Sequence, residues 1–437
     1  MSEEKRCLLM RRFQSALTLS TLAVLTMTTV PISAWAVDPN AFTSRLEESA
    51  KSEGLSISSM KSEADGNDIV LHDVTIKVQG ERNIGEQIDQ SSALDTQSKE
   101  PQENAQTVTA MVFDKIDSLR FKNVTEDQDG NYYAENVSIP MLKGPASEQT
   151  LYLKDISVTK IRLASEKNSD PLFIYFPYES LAIGQIYSAY QNQIVLNVEA
   201  LKAMYLWHPD RKRMDLVHSV KSFTYEPDKI YKPDAGKLLK DLGYDKLSGS
   251  LNFHANWDID SGKFVGDHNE ITVDNAGKLE FGINLDGITK DFINNIYKIQ
   301  NTRQLKASNK ADDNNTETLM FLGIIQQLKI GNTNIRYEDN SLVNRALDYY
   351  AKQNDVTRDD FIKQILASWS LIGTKVDDPE FIKATSEQLE NFLYNPKSLS
   401  ISATPEAAVP LPIAYMAAVT SGAKFIDLFK IKVDANK

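Results

Sequence analysis

The chain has 437 residues, with 60 acidic against 48 basic side chains, a formal net charge of -12, and a single cysteine. That acidic balance argues against electrostatic binding of nucleic acid or of an anionic membrane. One cysteine, Cys7, excludes a disulfide framework and a cysteine-based metal centre.

At the start, Lys5, Arg6, Arg11 and Arg12 precede a moderately apolar run from Phe13 to Val30, and Ala34-Trp35-Ala36 offers a small-x-small cleavage site. This order predicts a Sec-type signal peptide over residues 1–36 and a periplasmic address. Phe13-Gln14-Ser15 follows the arginine pair where the twin-arginine route has two apolar residues, and Cys7 lies upstream of the apolar run, where it is no lipoprotein acyl site. An uncleaved anchor is disfavoured by the Thr and Ser of the run and by Pro31. Cleavage leaves 401 residues without cysteine; the segment carries four basic and two acidic residues, so the remaining charge is -14.

Ala41 to Glu53 reads as a short helix stopped at Gly54. A phrase Leu/Phe-x-Asp/Asn-Val/Ile-Thr/Ser then recurs as Leu71–Thr75, Phe121–Thr125 and Leu153–Ser157, with a weaker copy at Ala134–Ser138. Each copy is flanked by residues alternating apolar and polar, which predicts half-buried strands. Asp65-Gly66-Asn67 turns into the first, where Val74, Ile76 and Val78 share a face. Glu81 to Thr107, rich in Gln, Ser and Glu, reads as a mobile excursion from the sheet. Val108 to Ile139 is a hairpin turned at Asp127–Asn131 and ended by Pro140. A calcium loop there lacks its glycine at the sixth position and its Glu at the twelfth, which hold Tyr132 and Ser138, so turn chemistry is preferred.

Leu151 to Leu163 is a further strand. Leu172-Phe173-Ile174-Tyr175-Phe176 predicts a strand buried on both faces, its aromatics serving the core rather than a ligand pocket. Gln193 to Leu206, Leu216 to Tyr225, and a meander from Leu247 to Ile283 follow, with a short helix at Pro233 to Leu242. His254, His268, Asp258 and Asp267 lie in that meander, but no paired ligand spacing supports a metal site. Thr289 to Leu305 is helical, Ser308 to Thr318 a polar loop, and Met320 to Ile335 returns to strand. Three helices with apolar stripes come next, over Leu342 to Tyr350, Phe361 to Trp369 and Phe381 to Leu393, each needing an apolar partner, for which one face of the sheet is the obvious choice. Ser398 to Ala403 is a strand, Ile413 to Phe429 a buried or amphipathic helix too short to span a membrane, and Ile431-Lys432-Val433 an edge strand.

The expected fold is therefore α+β: a long twisted antiparallel sheet of repeated strands over 37–288, with a helix-rich region over 289–437 that returns strands to it and packs helices on one face. Nucleophile elbows, phosphate loops, dinucleotide fingerprints and His-Glu-x-x-His are missing. The chain reads as non-enzymatic, without cofactor or metal.

Leu247-Ser248-Gly249-Ser250-Leu251-Asn252-Phe253 through Trp257-Asp258, Tyr337-Glu338-Asp339-Asn340-Ser341-Leu342, and Pro396–Ile401 through Pro410 resemble uncharacterised exported proteins of alphaproteobacteria. In style they are similar to AsmA-like and YdgA-like envelope proteins built from repeated strands. The resemblance covers about Lys237 to the C-terminus. It implies envelope homeostasis and lipid held along an apolar β-groove; here the candidate apolar face is Val74, Ile76, Val78, Leu251, Phe253 and Phe281. The expected partners are a lipid or envelope proteins, with at most peripheral contact with the membrane. The alternative expectation is a structural or interaction protein whose apolar face is filled by its own helices. The two are distinguished by whether the helices leave part of that face open.

Overall fold

A computed structural model describes residues 37–52, 54–83, 105–146, 148–229, 233–308, 322–373 and 376–437. The expected signal peptide, most of the excursion after Glu81 and nearly all of the polar loop after Ser308 lie outside the described residues.

The chain opens with α1 (Pro39–Ser52), β1 (Leu55–Ser58), β2 (Lys61–Asp65) and β3 (Asp68–Asn83). It continues through β4 (Ala105–Val112), β5 (Ile116–Lys122), β6 (Thr125–Glu126), β7 (Tyr132–Ala146) and β8 (Gln149–Leu163). After α2 (Pro171–Tyr175) come β9 (Ser180–Tyr190), β10 (Gln193–Trp207) and β11 (Arg213–Tyr225), then α3 (Pro233–Asp241), β12 (Leu247–Asp258), β13 (Lys263–Val273) and β14 (Gly277–Asp286). The remainder is α4 (Lys290–Ser308), β15 (Lys329–Asp339), α5 (Leu342–Gln353), α6 (Arg358–Gly373), α7 (Pro379–Tyr394), β16 (Ser398–Ala403), β17 (Val409–Pro410), α8 (Leu411–Thr420), α9 (Gly422–Phe429) and β18 (Lys432–Ala435).

All the strand pairings are antiparallel. β1 and β2 flank one side of β3, and β4 and β5 the other. From β5 the sheet runs to β7, where β6 also pairs, and then strand by strand from β8 to β16, with β18 at the far edge and β17 beside β15. The protein is thus α+β on one long antiparallel meander. The sheet crosses residue 288 without a break, since β14 pairs with β15 along Gly277–Asp286.

The repeated phrase has a structural meaning that simple alternation does not show. Its Asp or Asn adopts a left-handed backbone in every strong copy: Asp73 at φ 55°, Asn123 at φ 48° and Asp155 at φ 53°. Asp and Asn tolerate this region better than other side chains because they hydrogen-bond locally. In a regular strand the flanking apolar residues, three apart, would point to opposite faces. Here the left-handed residue turns the chain between them. Leu71 and Val74 are both buried, as are Phe121 and Val124, and Leu153 packs against the same core as Ile156. Lys160, at φ 50°, repeats the step between Val158 and Ile161. The partners keep in step, because Leu142, Leu153 and Ile186 form one cross-strand row and Ile139, Ile156 and Ile183 the next. Opposite Asp155 stands Gly184, where an added Cβ would lie 2.9 Å from the Asp155 Cβ.

Several local expectations are corrected. Leu172–Phe176 is not a strand: Asp170 caps a helical turn there, its carboxylate accepting the Leu172 N–H at 3.0 Å with Pro171 at the first position. Pro140 does not end its strand, which continues to Ala146; it stands opposite Asp155, where the ladder is already interrupted. β3 and β4 also reach further into the excursion, to Asn83 and from Ala105. The Asp127 turn is as expected. The carboxylate accepts the Asp129 and Asn131 N–H groups at 3.0 and 2.9 Å and the Tyr133 hydroxyl at 2.9 Å, so the turn itself uses its oxygens.

The main core lies on one face of the sheet, from β3 to β12. Phe42 of α1 is fully buried and meets Phe121 and Tyr132 edge-on, at 5.1 and 5.7 Å between centroids. Farther along, Phe176 sits among Tyr205, Trp207 and Trp257. Arg162 secures that segment, donating to the Phe176 and Leu172 carbonyls at 2.9 and 3.3 Å while its guanidinium lies 4.6 Å from the Phe173 ring centre. Burial lowers the Arg162 pKa to about 10, which still leaves it charged at neutral pH.

Candidate ligand-binding face

Cross-strand register builds long rows on the apolar face. One runs Ile139, Ile156, Ile183, Leu201, Val220, Leu251, Ile271, Leu279, Tyr337, Leu399 and Ala435, from β7 to β18. Beside it, Phe281, Ile335, Ile401 and Val433 are successive partners, and the Phe253 ring meets Phe281 at 5.8 Å. Burial falls along both rows toward β16 and returns at the edge strand β18, where Ala435 is buried and Val433 half-buried. Ile139, Ile156 and Ile183 are buried, Leu251, Phe253, Ile271, Leu279 and Phe281 are half-buried, and Ile335 and Ile401 are 46% and 45% exposed.

The reason is where the helices go. α1 and the Phe176 segment fill the first half of the face. The stripes of α5, α6 and α7 do not spread over the second half, as their amphipathicity suggested. They pack mainly on one another, through Leu347, Ile362 and Leu393 with Val343, Phe361 and Leu389 around them. α7 reaches the sheet only at its last strands: Phe392 meets the Tyr337 ring edge-on at 6.4 Å, and the Gln388 side chain accepts the Ala435 N–H of edge strand β18 at 3.0 Å. This blunts an otherwise exposed edge. At the other end of these strands, Phe429 and Phe425 of α9 and Ala414 of α8 close over Val409, Ile330 and Ala403. Between these two covers the middle rows stay open.

The expected single helix over Ile413 to Phe429 is two helices broken at Ser421, whose backbone is extended and whose side chain accepts the Lys424 N–H. Nor is its first half buried or amphipathic. α8 carries no charged residue and exposes Ile413, Tyr415, Met416 and Val419. No helix among the described residues is long and apolar enough to cross a membrane.

The six residues expected to form the ligand face are thereby divided. Val74 and Ile76 are buried in the chain's own core, 0% and 8% exposed, and Val78 packs against that core; closed off in this way, Val74 and Ile76 cannot line an open surface. Leu251, Phe253 and Phe281 border the open rows. Sequence reasoning missed Ile335 and Ile401, although Ile335 ended a predicted strand and Ile401 alternated with serines.

The opposite face of the same strands is polar. Lys278 lies between Glu280 and Glu338, at 2.8 and 3.3 Å, and Arg336 pairs with Glu338 at 3.0 Å. Hydrogen bonding to Glu280 raises the Lys278 pKa, and the bond from Arg336 lowers that of Glu338. His254, Asp267 and His268, which had no recognisable ligand spacing, come together there, while Asp258 is taken up by its own turn, accepting the Ser261 N–H at 2.9 Å. On the apolar side, His218 is half-buried against Tyr205, whose hydroxyl bonds its Nε2. Burial lowers the His218 pKa and raises that of Tyr205.

Residues 270–436 match a protein-family model whose description is "Uncharacterized protein". That stretch takes in β14 to β18 and the helices that bound the open rows. A search of curated proteins returns no match.

Proposed function

We propose that this chain is a non-enzymatic envelope protein that holds a lipid or another apolar ligand on the open part of its sheet face. The observation that carries the reading is the exposure of Ile335 and Ile401 midway between two helical covers. Monomeric proteins rarely leave contiguous apolar rows uncovered without a use for them. α8 adds exposed apolar side chains of its own, Ile413, Tyr415, Met416 and Val419, which suits a ligand that arrives from a membrane. The basic n-region, apolar run and cleavage site of residues 1–36 support a periplasmic address.

A second reading has its own observation. The first half of the face is filled by the protein's own α1, with Phe42 at its centre, as a structural or interaction protein would fill it throughout.

Native mass spectrometry of the mature chain purified from a Gram-negative periplasm separates the two. A stoichiometric adduct that extracts as phospholipid, and is lost from a folded Ile335→Thr/Ile401→Thr variant, supports the ligand face. A bare mass from well-folded protein overturns that reading and favours the interaction protein.

A further inference from the structure

Among the described residues, the polar face carries one cluster with the chemistry of a metal site. β12 and β13 are paired with Asn252 opposite Glu270 and His254 opposite Asp267, which leaves one extra residue on β13. This is a β-bulge, and His268 takes its left-handed position at φ 56°. Consecutive residues of a regular strand point to opposite faces; at the bulge Asp267 and His268 both reach the same place. The Asp267 carboxylate oxygen lies 3.0 Å from a ring nitrogen of His254 and 3.3 Å from one of His268. All three ligand atoms fall within 4.8 Å of one another.

Asn269 holds the bulge open from the other side. It is 6% exposed, accepts the His254 N–H at 3.0 Å and donates to the Phe281 carbonyl at 3.1 Å. The side chain of Asn269 thus supplies partners that the bulged backbone cannot, and holds the His254 backbone beside Asp267.

We propose that His254, Asp267 and His268 form a surface site for a divalent transition-metal ion of the zinc class. Two imidazoles and one carboxylate are a donor set for such ions. Bond lengths of about 2.0–2.2 Å place tetrahedral ligand atoms about 3.3 Å apart, close to the two spacings from Asp267 to the histidines. The fourth position faces solvent, since the His268 side chain is 84% exposed. The site ties β12 to β13 directly behind Phe253 and Phe281.

Isothermal titration of the tag-free mature chain with Zn2+ tests this. The expected result is one ion per chain, with affinity reduced about tenfold or more in His254→Ala and in His268→Ala, since even losing an outer partner of a ligand costs that much. Asp267→Asn, nearly isosteric, should weaken binding as well, and His208→Ala should leave it unchanged. Circular dichroism without metal verifies that each variant is folded. Absence of stoichiometric binding overturns the proposal, as does binding that survives both histidine substitutions.

Discussion

Ile335 and Ile401 are direct cross-strand partners on β15 and β16, yet they are 46% and 45% exposed on the face that buries Ile156 and Ile183 a few strands away. One continuous apolar face therefore does two jobs. Near α1 it is a core. Beyond β12 it is a surface bounded by helices that pack mainly on each other.

Replacing both isoleucines by threonine tests that division. Threonine keeps the branched β-carbon that strands favour, so the cost in stability should be about 1 kcal/mol or less per site, while retention of an apolar ligand falls. Ile76→Thr, by contrast, buries a hydroxyl in a closed core and should cost about 2 kcal/mol or more. Urea melts and native mass spectrometry of the same samples should dissociate the two effects.

Phe42 is the one aromatic that joins α1 to the sheet through two edge-on ring contacts. Phe42→Ala should destabilise the protein by about 3–5 kcal/mol, the range for deleting a buried aromatic. Chemical denaturation measures it. A loss below about 1 kcal/mol would mean that α1 is peripheral to the core.

The left-handed step at Asp155 predicts an asymmetric pair of variants. Asp155→Asn should be close to neutral, whereas Asp155→Val should cost about 1–2 kcal/mol, because a branched side chain is strained at positive φ. Gly184→Ala should be destabilising by about 1–3 kcal/mol, since its new methyl meets the Asp155 side chain at 2.9 Å. Urea midpoints of the three variants rank them.

Stability should also fall on mild acidification. Burial lowers the His218 pKa from its ordinary 6.5, so below that value the unfolded chain binds a proton that the folded one resists. The contribution is complete above about pH 6.5 and is lost as pH falls from there through the folded-state pKa. The urea midpoint should drop between pH 7.5 and pH 5.5, and His218→Gln should remove part of that drop. An unchanged slope in the variant would show that another group is responsible.

Much of the fold follows from local pattern. The strand phrases, the Asp-Gly turns and the stop at Gly54 need only neighbouring residues, and each formed where the chain's chemistry places it. Leu172–Phe176 deceived the reading because its apolar run outweighed the Asp170-Pro171 cap beside it. The phase of the apolar residues was misleading as well: strict alternation sends Leu71 and Val74 to opposite faces, and only the left-handed Asp73 brings them together.

What the sequence alone determined was the class of the protein: α+β by its periodicities, with apolar strand faces and apolar helix stripes that each need a partner. Which part of that face is closed, and that His254 meets Asp267 and His268, were decided by the tertiary structure. Both depend on register and on helix docking between segments distant in sequence, whose contacts form only when the strands are laid side by side.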